Sequence, residues 1–128
     1  STDFENVETA ALGIAALQPA YMSVTYGAGG STKGHTIVLA SEIQEKHNVP
    51  TVAHLTCVCA EQGSIRAALD EMKTAGIENI LALRGDIPKD FHGEVFTDFT
   101  HASDLVRFVR RFLCGRCLLS GGASRFCE

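Results

Sequence analysis

The sequence predicts an α/β fold with parallel strands, and three observations predict it. Three short apolar runs, Tyr21 to Gly27 (YMSVTYG), Thr51 to Cys57 (TVAHLTC) and Asn79 to Asp86 (NILALRGD), are too brief for helices and end in small or polar residues. Buried parallel strands end this way when they deliver polar groups to a site at their carboxyl ends. Each run is followed by a loop and then by apolar residues at helical spacing, and the strand starts are separated by about one βα unit, ~30 residues.

Taken in order, the first element is a helix capped by Ser1 or Thr2, with Asp3 and Glu5 in its first turn and an apolar stripe of Phe4, Val7, Ala11, Ile14 and Leu17; Pro19 closes it. The strand from Tyr21 runs into a glycine-rich loop, Gly27 to Gly34, and a helix from about His35 to His47 buries Ile37, Ala40 and Ile43. Pro50 fits the entrance of the second strand, where a missing N–H costs little. Ser64 is the expected cap of the next helix, which carries Ile65, Ala68, Leu69, Met72 and Ala75, with Gly76 where a C′ residue belongs. After Asp86 a long loop runs from Ile87 to about Ala102; loops of that length are usually functional or mobile. Ser103 is the expected cap of a last helix, whose stripe is Leu105, Phe108, Val109 and Phe112 and whose Arg107, Arg110 and Arg111 form a solvated face. One helix followed by three βα units gives about three parallel strands with four helices.

A chain of 128 residues, 45% hydrophobic and 20% charged, is one globular domain by composition. Its net charge of −4 and scattered Lys and Arg provide no basic stripe, so binding to nucleic acid is not expected. No window has the apolar length of a membrane span, and Ser1 to Pro19 is acidic where a signal peptide would be basic, so the expectation is a cytoplasmic protein with no membrane partner. Five cysteines, Cys57, Cys59, Cys114, Cys117 and Cys127, argue against a disulfide framework. Cys57 and Cys59 would share a buried face if the strand continued that far, and burial outweighs metal binding for so short a spacing.

Glycine-rich backbone before a helix suits an anion. The loop fails both standard phosphate patterns, however: Lys33 is flanked by Thr32 and Gly34, and a G-x-G-x-x-G begun at Gly27 meets Thr32 at its last position. His54, inside an apolar strand, reads alone as a core histidine as readily as a ligand. Arg84 and Asp86 say more, because two charges at the end of a buried strand must be paired with each other, solvated by a cleft, or committed to a ligand. The carboxylate can face a developing cation, and the guanidinium can hold a phosphate bidentately.

VTYGAGGST from Val24 to Thr32, HLTC from His54 to Cys57, GIENILALRGD from Gly76 to Asp86 and HASDLV from His101 to Val106, in this order and at these separations, together resemble methylenetetrahydrofolate reductase. The resemblance covers nearly everything before Leu113. It implies a partial (β/α)₈ TIM barrel, a fold of ~250 residues when complete. It also implies a flavoprotein of one-carbon metabolism that uses NADH or NADPH and FAD to reduce 5,10-methylenetetrahydrofolate to 5-methyltetrahydrofolate for methionine biosynthesis. Carried over by motif, Thr25 would lie at the nicotinamide site, and Tyr26, Ala28, His54, Arg84, Gly85 and Ala102 would contact FAD. Asp86 would stand beside both flavin and folate, as catalytic residue and substrate ligand, favouring the cationic iminium form of the substrate. The family's F-E-F-F-P-P-like segment, whose glutamate is the general acid, has no counterpart here, so the isolated chain is expected to be inactive. Whether it forms a homo-oligomer is left open.

Residues 1–112 form the expected reductase segment, and residues 113–128 an atypical tail without period or turn logic. Leu118 to Cys127 can be encoded CTA CTA TCC GGA GGG GCA TCC CGA TTC TGC. Loss of the first base makes this string read Y-Y-P-E-G-H-P, which matches the family's next strand and loop, so the tail is expected to be a frame-shifted reading. The alternative is a small non-enzymatic metal-binding or interaction module using Cys114, Cys117 and Cys127 with a histidine.

Overall fold

The computed structural model describes the backbone of residues 2–25, 33–87 and 89–120, and the side chains of residues 3–25, 35–87 and 89–113. The elements are α1 (Thr2–Ala15), β1 (Met22–Val24), α2 (Lys33–His47), β2 (Thr51–Thr56), α3 (Gln62–Thr74), β3 (Asn79–Leu83) and α4 (Ala102–Ser120). The strands form one parallel sheet in the order β1-β2-β3, with Met22, Ser23 and Val24 in register with Thr51, Val52 and Ala53. This is the expected α/β arrangement of three strands and four helices, a sector of a (β/α)₈ barrel.

The chain divides into two compact units, Ser1–Leu55 with Asp70–Leu81, and Thr56–Leu69 with Ala82–Glu128. In the first, α2 buries Ile37, Ala40 and Ile43 as its spacing predicts, and Leu39 as well; Val49, Ala53, Leu55, Met72 and Ile77 complete the core. Burying each large aliphatic side chain contributes roughly 1.5–3 kcal/mol before chain entropy is charged. Gln44, unremarkable in the sequence, is the polar hub. Its Oε1 accepts from the Thr51 hydroxyl at 2.7 Å and from the Thr51 N–H at 3.3 Å, and its Nε2 donates to the Gly76 carbonyl at 2.9 Å. Thr51 is fully buried; its hydroxyl has a second, longer acceptor in the Ala40 carbonyl at 3.5 Å, so Gln44 supplies the closer partner of the hydroxyl and the acceptor for the N–H.

Gly76 has the expected C′ role after α3. It adopts φ 76° and donates to the Lys73 carbonyl, while Ile77 donates to the Met72 carbonyl, which together form a Schellman motif.

The first helix departs from its expected stripe. Phe4 packs on His35 with ring centroids 4.2 Å apart and Ala15 is buried, but Val7, Ile14 and Leu17 are 56%, 53% and 81% exposed. The face turned inward runs through Phe4, Glu8, Ala11, Leu12 and Ala15. Glu8 lies against Glu42, whose Oε2 is buried without a hydrogen-bond partner among the described residues. Side-chain hydrogen bonding with Glu42, and then the Glu42 charge, push the Glu8 carboxyl above the usual range; Lys46 partly opposes this.

The second unit is built on Cys57, Val58, Ala60, Ile65, Ala68, Leu69, Val95, Phe99 and Leu105. Phe99 meets Phe108 edge-on at 5.2 Å. Both helices of this unit begin before the serines expected to cap them. Ser64 sits in the first turn of α3, exchanging hydrogen bonds with Glu61, and the Asp98 carboxylate accepts from the Gln62 N–H at 2.8 Å. In α4 the cap is His101, whose N–H donates to Asp104 at 3.0 Å. This is the N3 half of a capping box, with Asp where Glu is usual, while the Asp104 N–H donates to the His101 carbonyl. The backbone of α4 remains helical past Phe112 to Ser120.

Gln44→Ala removes the acceptor of the buried Thr51 N–H and leaves its hydroxyl only the Ala40 carbonyl at 3.5 Å, and should destabilise the chain by about 1–3 kcal/mol. Urea denaturation checks this, and pairing the change with Thr51→Val should recover much of the loss.

Candidate functional site

The carboxyl end of β3 is held by backbone. Cys57 donates to the Leu83 carbonyl at 3.0 Å and Val58 to the Arg84 carbonyl at 3.1 Å, which carries the pairing one residue past the strand. Gly85 then turns with φ 84°, and a Cβ built there would lie 2.7 Å from Val58 Cγ1 and 3.2 Å from Thr56 Cβ. Both the backbone angle and the space call for glycine.

The turn exposes Arg84 and Asp86 on either side of Gly85. The Arg84 guanidinium stacks on Phe96, 4.2 Å from the ring centroid, and its Nε donates to the Thr100 carbonyl at 3.2 Å. Among the described residues Arg84 forms no ion pair with Asp86, and Asp86 has no hydrogen-bond or ion-pair partner. The ion-pair alternative is therefore not what the turn adopts.

The expected burial of β3 is corrected as well. Asn79 and Leu81 are exposed, Leu81 at 44%, and the other three residues of the strand are half-buried, because β3 lies at the edge of the sheet order. The charges thus leave an edge strand, and their desolvation cost is correspondingly small.

The remaining sequence candidates fall in separate places. In the first unit, Thr25 follows β1, is exposed, and accepts from the Thr36 hydroxyl through its carbonyl at 2.9 Å; His54 lies half-buried in β2. In the second unit, Ala102 opens α4 and is half-buried. Tyr26 and Ala28, with the loop through Thr32, lie outside the described residues, as do the side chains of Lys33, Cys114 and Cys117 and all of Cys127. Among the described residues no group of three or more His, Cys, Asp and Glu is placed to hold a metal.

Cys57 and Cys59 do not share a face. β2 ends at Thr56, Cys57 is buried, and Cys59 is exposed with φ 53° while its N–H donates to the Val95 carbonyl at 2.8 Å. Burial, and then the Asp104 charge, push the Cys57 thiol up despite the opposing pull of Arg84, so it is a neutral packing residue.

Phe96, Asp98 and Thr100 are absent from the sequence candidates. The only hint is the grouping of the apolar residues Val95, Phe96 and Phe99 within an otherwise polar stretch of the long loop. Elsewhere, a hollow of about 520 Å³ in the first unit is lined by Gln44, Asn48, Pro50, Gly76, Glu78 and Asn79, among others. It lies at the amino ends of β2 and β3, away from the charged turn in chain terms.

A model of the methylenetetrahydrofolate reductase family matches residues 4–118. The chain belongs to this family. It is 43% identical over 97 residues to methylenetetrahydrofolate reductase 2 of Schizosaccharomyces pombe, covering 73% of this chain and 15% of that protein. It is 42% identical over 94 residues to methylenetetrahydrofolate reductase (NADH) 1 of Zea mays, covering 72% and 16%. Against the 5,10-methylenetetrahydrofolate reductase of Pectobacterium carotovorum it is 34% identical over 77 residues, covering 60% and 26%. The chain thus spans between about a seventh and a quarter of the length of these relatives.

Gly85→Ala forces an L side chain into a left-handed angle and against Val58. It should cost about 2–4 kcal/mol, the sum of a backbone term near 1 and an overpacking term of about 1–3. Thermal or urea unfolding measures the loss, and a second substitution, Val58→Ala, should return part of it by making room.

Proposed function

We propose that this chain forms part of a flavin-dependent reductase site for 5,10-methylenetetrahydrofolate, supplied with electrons by NADH or NADPH. The observation that carries the reading is the charged turn after β3: a guanidinium with an uncommitted edge and a carboxylate without a partner among the described residues, one glycine apart. An enzyme of this family has to hold an anionic dinucleotide and to meet positive charge on its substrate, and the turn offers one group for each.

The residues fit FAD. Nη1 and Nη2 of Arg84 have no hydrogen-bond partner among the described residues and suit a diphosphate. The Gly85 backbone, His54, Ala102, Tyr26 and Ala28 are the further residues proposed to hold the cofactor, with Thr25 toward the nicotinamide. When bound, FAD would accept hydride from the nicotinamide and pass it to the folate's methylene carbon. Asp86, exposed at the end of the turn, would stabilise the cationic iminium form of the folate through its carboxylate.

The test is binding by the purified 128-residue chain. FAD, followed by flavin fluorescence, should bind more tightly than riboflavin, which lacks phosphate. Arg84→Ala should weaken FAD by about ten- to a hundredfold, the range for losing a hydrogen bond to a charged group, and leave riboflavin unchanged. Equal affinity for FAD and riboflavin, or no binding of either, would count against the proposal.

A further inference from the structure

We infer that Phe96 is a positioning residue for anion recognition: its ring and the Thr100 carbonyl fix the Arg84 guanidinium by one face and one edge, so that the Nη1 and Nη2 edge is presented to a diphosphate. The inference rests on the proposed role of Arg84 and adds the residue that sets its geometry.

A guanidinium has five N–H donors in a planar fork. In this turn the Nε–H is spent on the Thr100 carbonyl at 3.2 Å and one face is covered by Phe96 at 4.2 Å. The four N–H groups on Nη1 and Nη2 have no partner among the described residues. They form the pair of parallel donors that matches two phosphate oxygens.

Both clamps are themselves fixed. The Val95 carbonyl, one residue before Phe96, accepts from Cys59 at 2.8 Å, and Val95 is buried. Asp98 accepts from the Gln62 N–H, and Thr100 immediately precedes His101, whose N–H is bound by Asp104. Asp98 and Asp104, on either side of Thr100 in sequence, are both committed to helix N-termini, and among the described residues no carboxylate pairs with Arg84. Asp104 also pairs with Arg107 at 3.3 Å. They therefore do not neutralise Arg84, which keeps its charge while losing rotational freedom. An ordinary exposed arginine must lose that freedom when it binds, so holding it in advance raises affinity. The ring achieves this without supplying a competing acceptor, which a carboxylate in its place would do.

The experiment uses the full chain, with FAD and riboflavin as probes. Phe96→Ala should weaken FAD about three- to tenfold, the range for an exposed to partly desolvated cation–π contact. Riboflavin affinity and the unfolding midpoint should stay near their original values. Phe96→Tyr should restore FAD binding, and Phe96→Leu, which keeps apolar volume without a π face, should not. Unchanged FAD affinity in Phe96→Ala, alongside wild-type preference for FAD over riboflavin, would overturn the positioning role while leaving Arg84 as a ligand. So would equal weakening of both flavins, or full rescue by Phe96→Leu, because each would indicate packing alone. Should Phe96→Ala not fold, the Tyr and Leu variants decide by the same comparison. A wild-type chain that binds FAD no better than riboflavin would overturn both this inference and the reading of Arg84 beneath it.

Discussion

The close approach of Gly85 to Val58 is the constraint on which the rest of the site depends. Two backbone hydrogen bonds, from Cys57 to Leu83 and from Val58 to Arg84, bring the chain to a point where no side chain fits, and only a residue with φ 84° and no Cβ can turn there. Because the turn is forced by backbone rather than by attraction between its charges, Arg84 and Asp86 stand on either side of it without pairing. A salt bridge between them would have stabilised an exposed turn by ~1 kcal/mol or less and left neither group free. The fold forgoes little by keeping them apart.

The long loop after Asp86 acts as a buttress. Val95 and Phe99 are buried, the Val95 carbonyl takes the Cys59 N–H, and Asp98 reaches the first turn of α3. At its end the Asp104 carboxylate accepts from the His101 N–H and caps α4. Each carboxylate placed at a helix N-terminus contributes about 0.3–1 kcal/mol through the macrodipole, in addition to its hydrogen bond. The larger consequence is for charge: Asp98 and Asp104 are used on helix ends while the aromatic ring of Phe96 is given to the cation. A segment that the sequence marks only by length is thereby tied to the site by Phe96 and Thr100.

What was legible in the sequence was whatever depends on local period and local backbone chemistry. The order of elements, the buried face of α2 and the glycine cap of α3 follow from spacing at Ile37, Ala40 and Ile43 and from Gly76. What was not legible depends on neighbours far along the chain. The stripe through Val7, Ile14 and Leu17 is apolar yet exposed, since period shows which residues share a face but not what covers that face. The apolar run of β3 likewise reads as buried, but at the sheet edge it is half-open. Ser64 and Ser103 look like caps, yet Glu61 and His101 precede the helices, with Asp98 and Asp104 as acceptors; Asp98 lies 36 residues from Gln62, beyond any local motif. The charged turn itself was legible, because a cation, a glycine and an anion after an apolar run are all adjacent in sequence. The aromatic clamp on Arg84 was not, since Phe96 meets it only through the path of the loop.

The central claim is that the turn after β3 is where the chain meets an anionic flavin dinucleotide. Amide and arginine side-chain NMR shifts recorded during an FAD titration of the isotopically labelled chain test it most directly. The account predicts that the Arg84 Nε–H and the amides of Gly85, Asp86 and Ala102 move together, with one common affinity, while those of Gln44, Gly76 and Asn79 stay in place. Movement confined to the hollow around Gln44 and Asn79, with the turn silent, would contradict it.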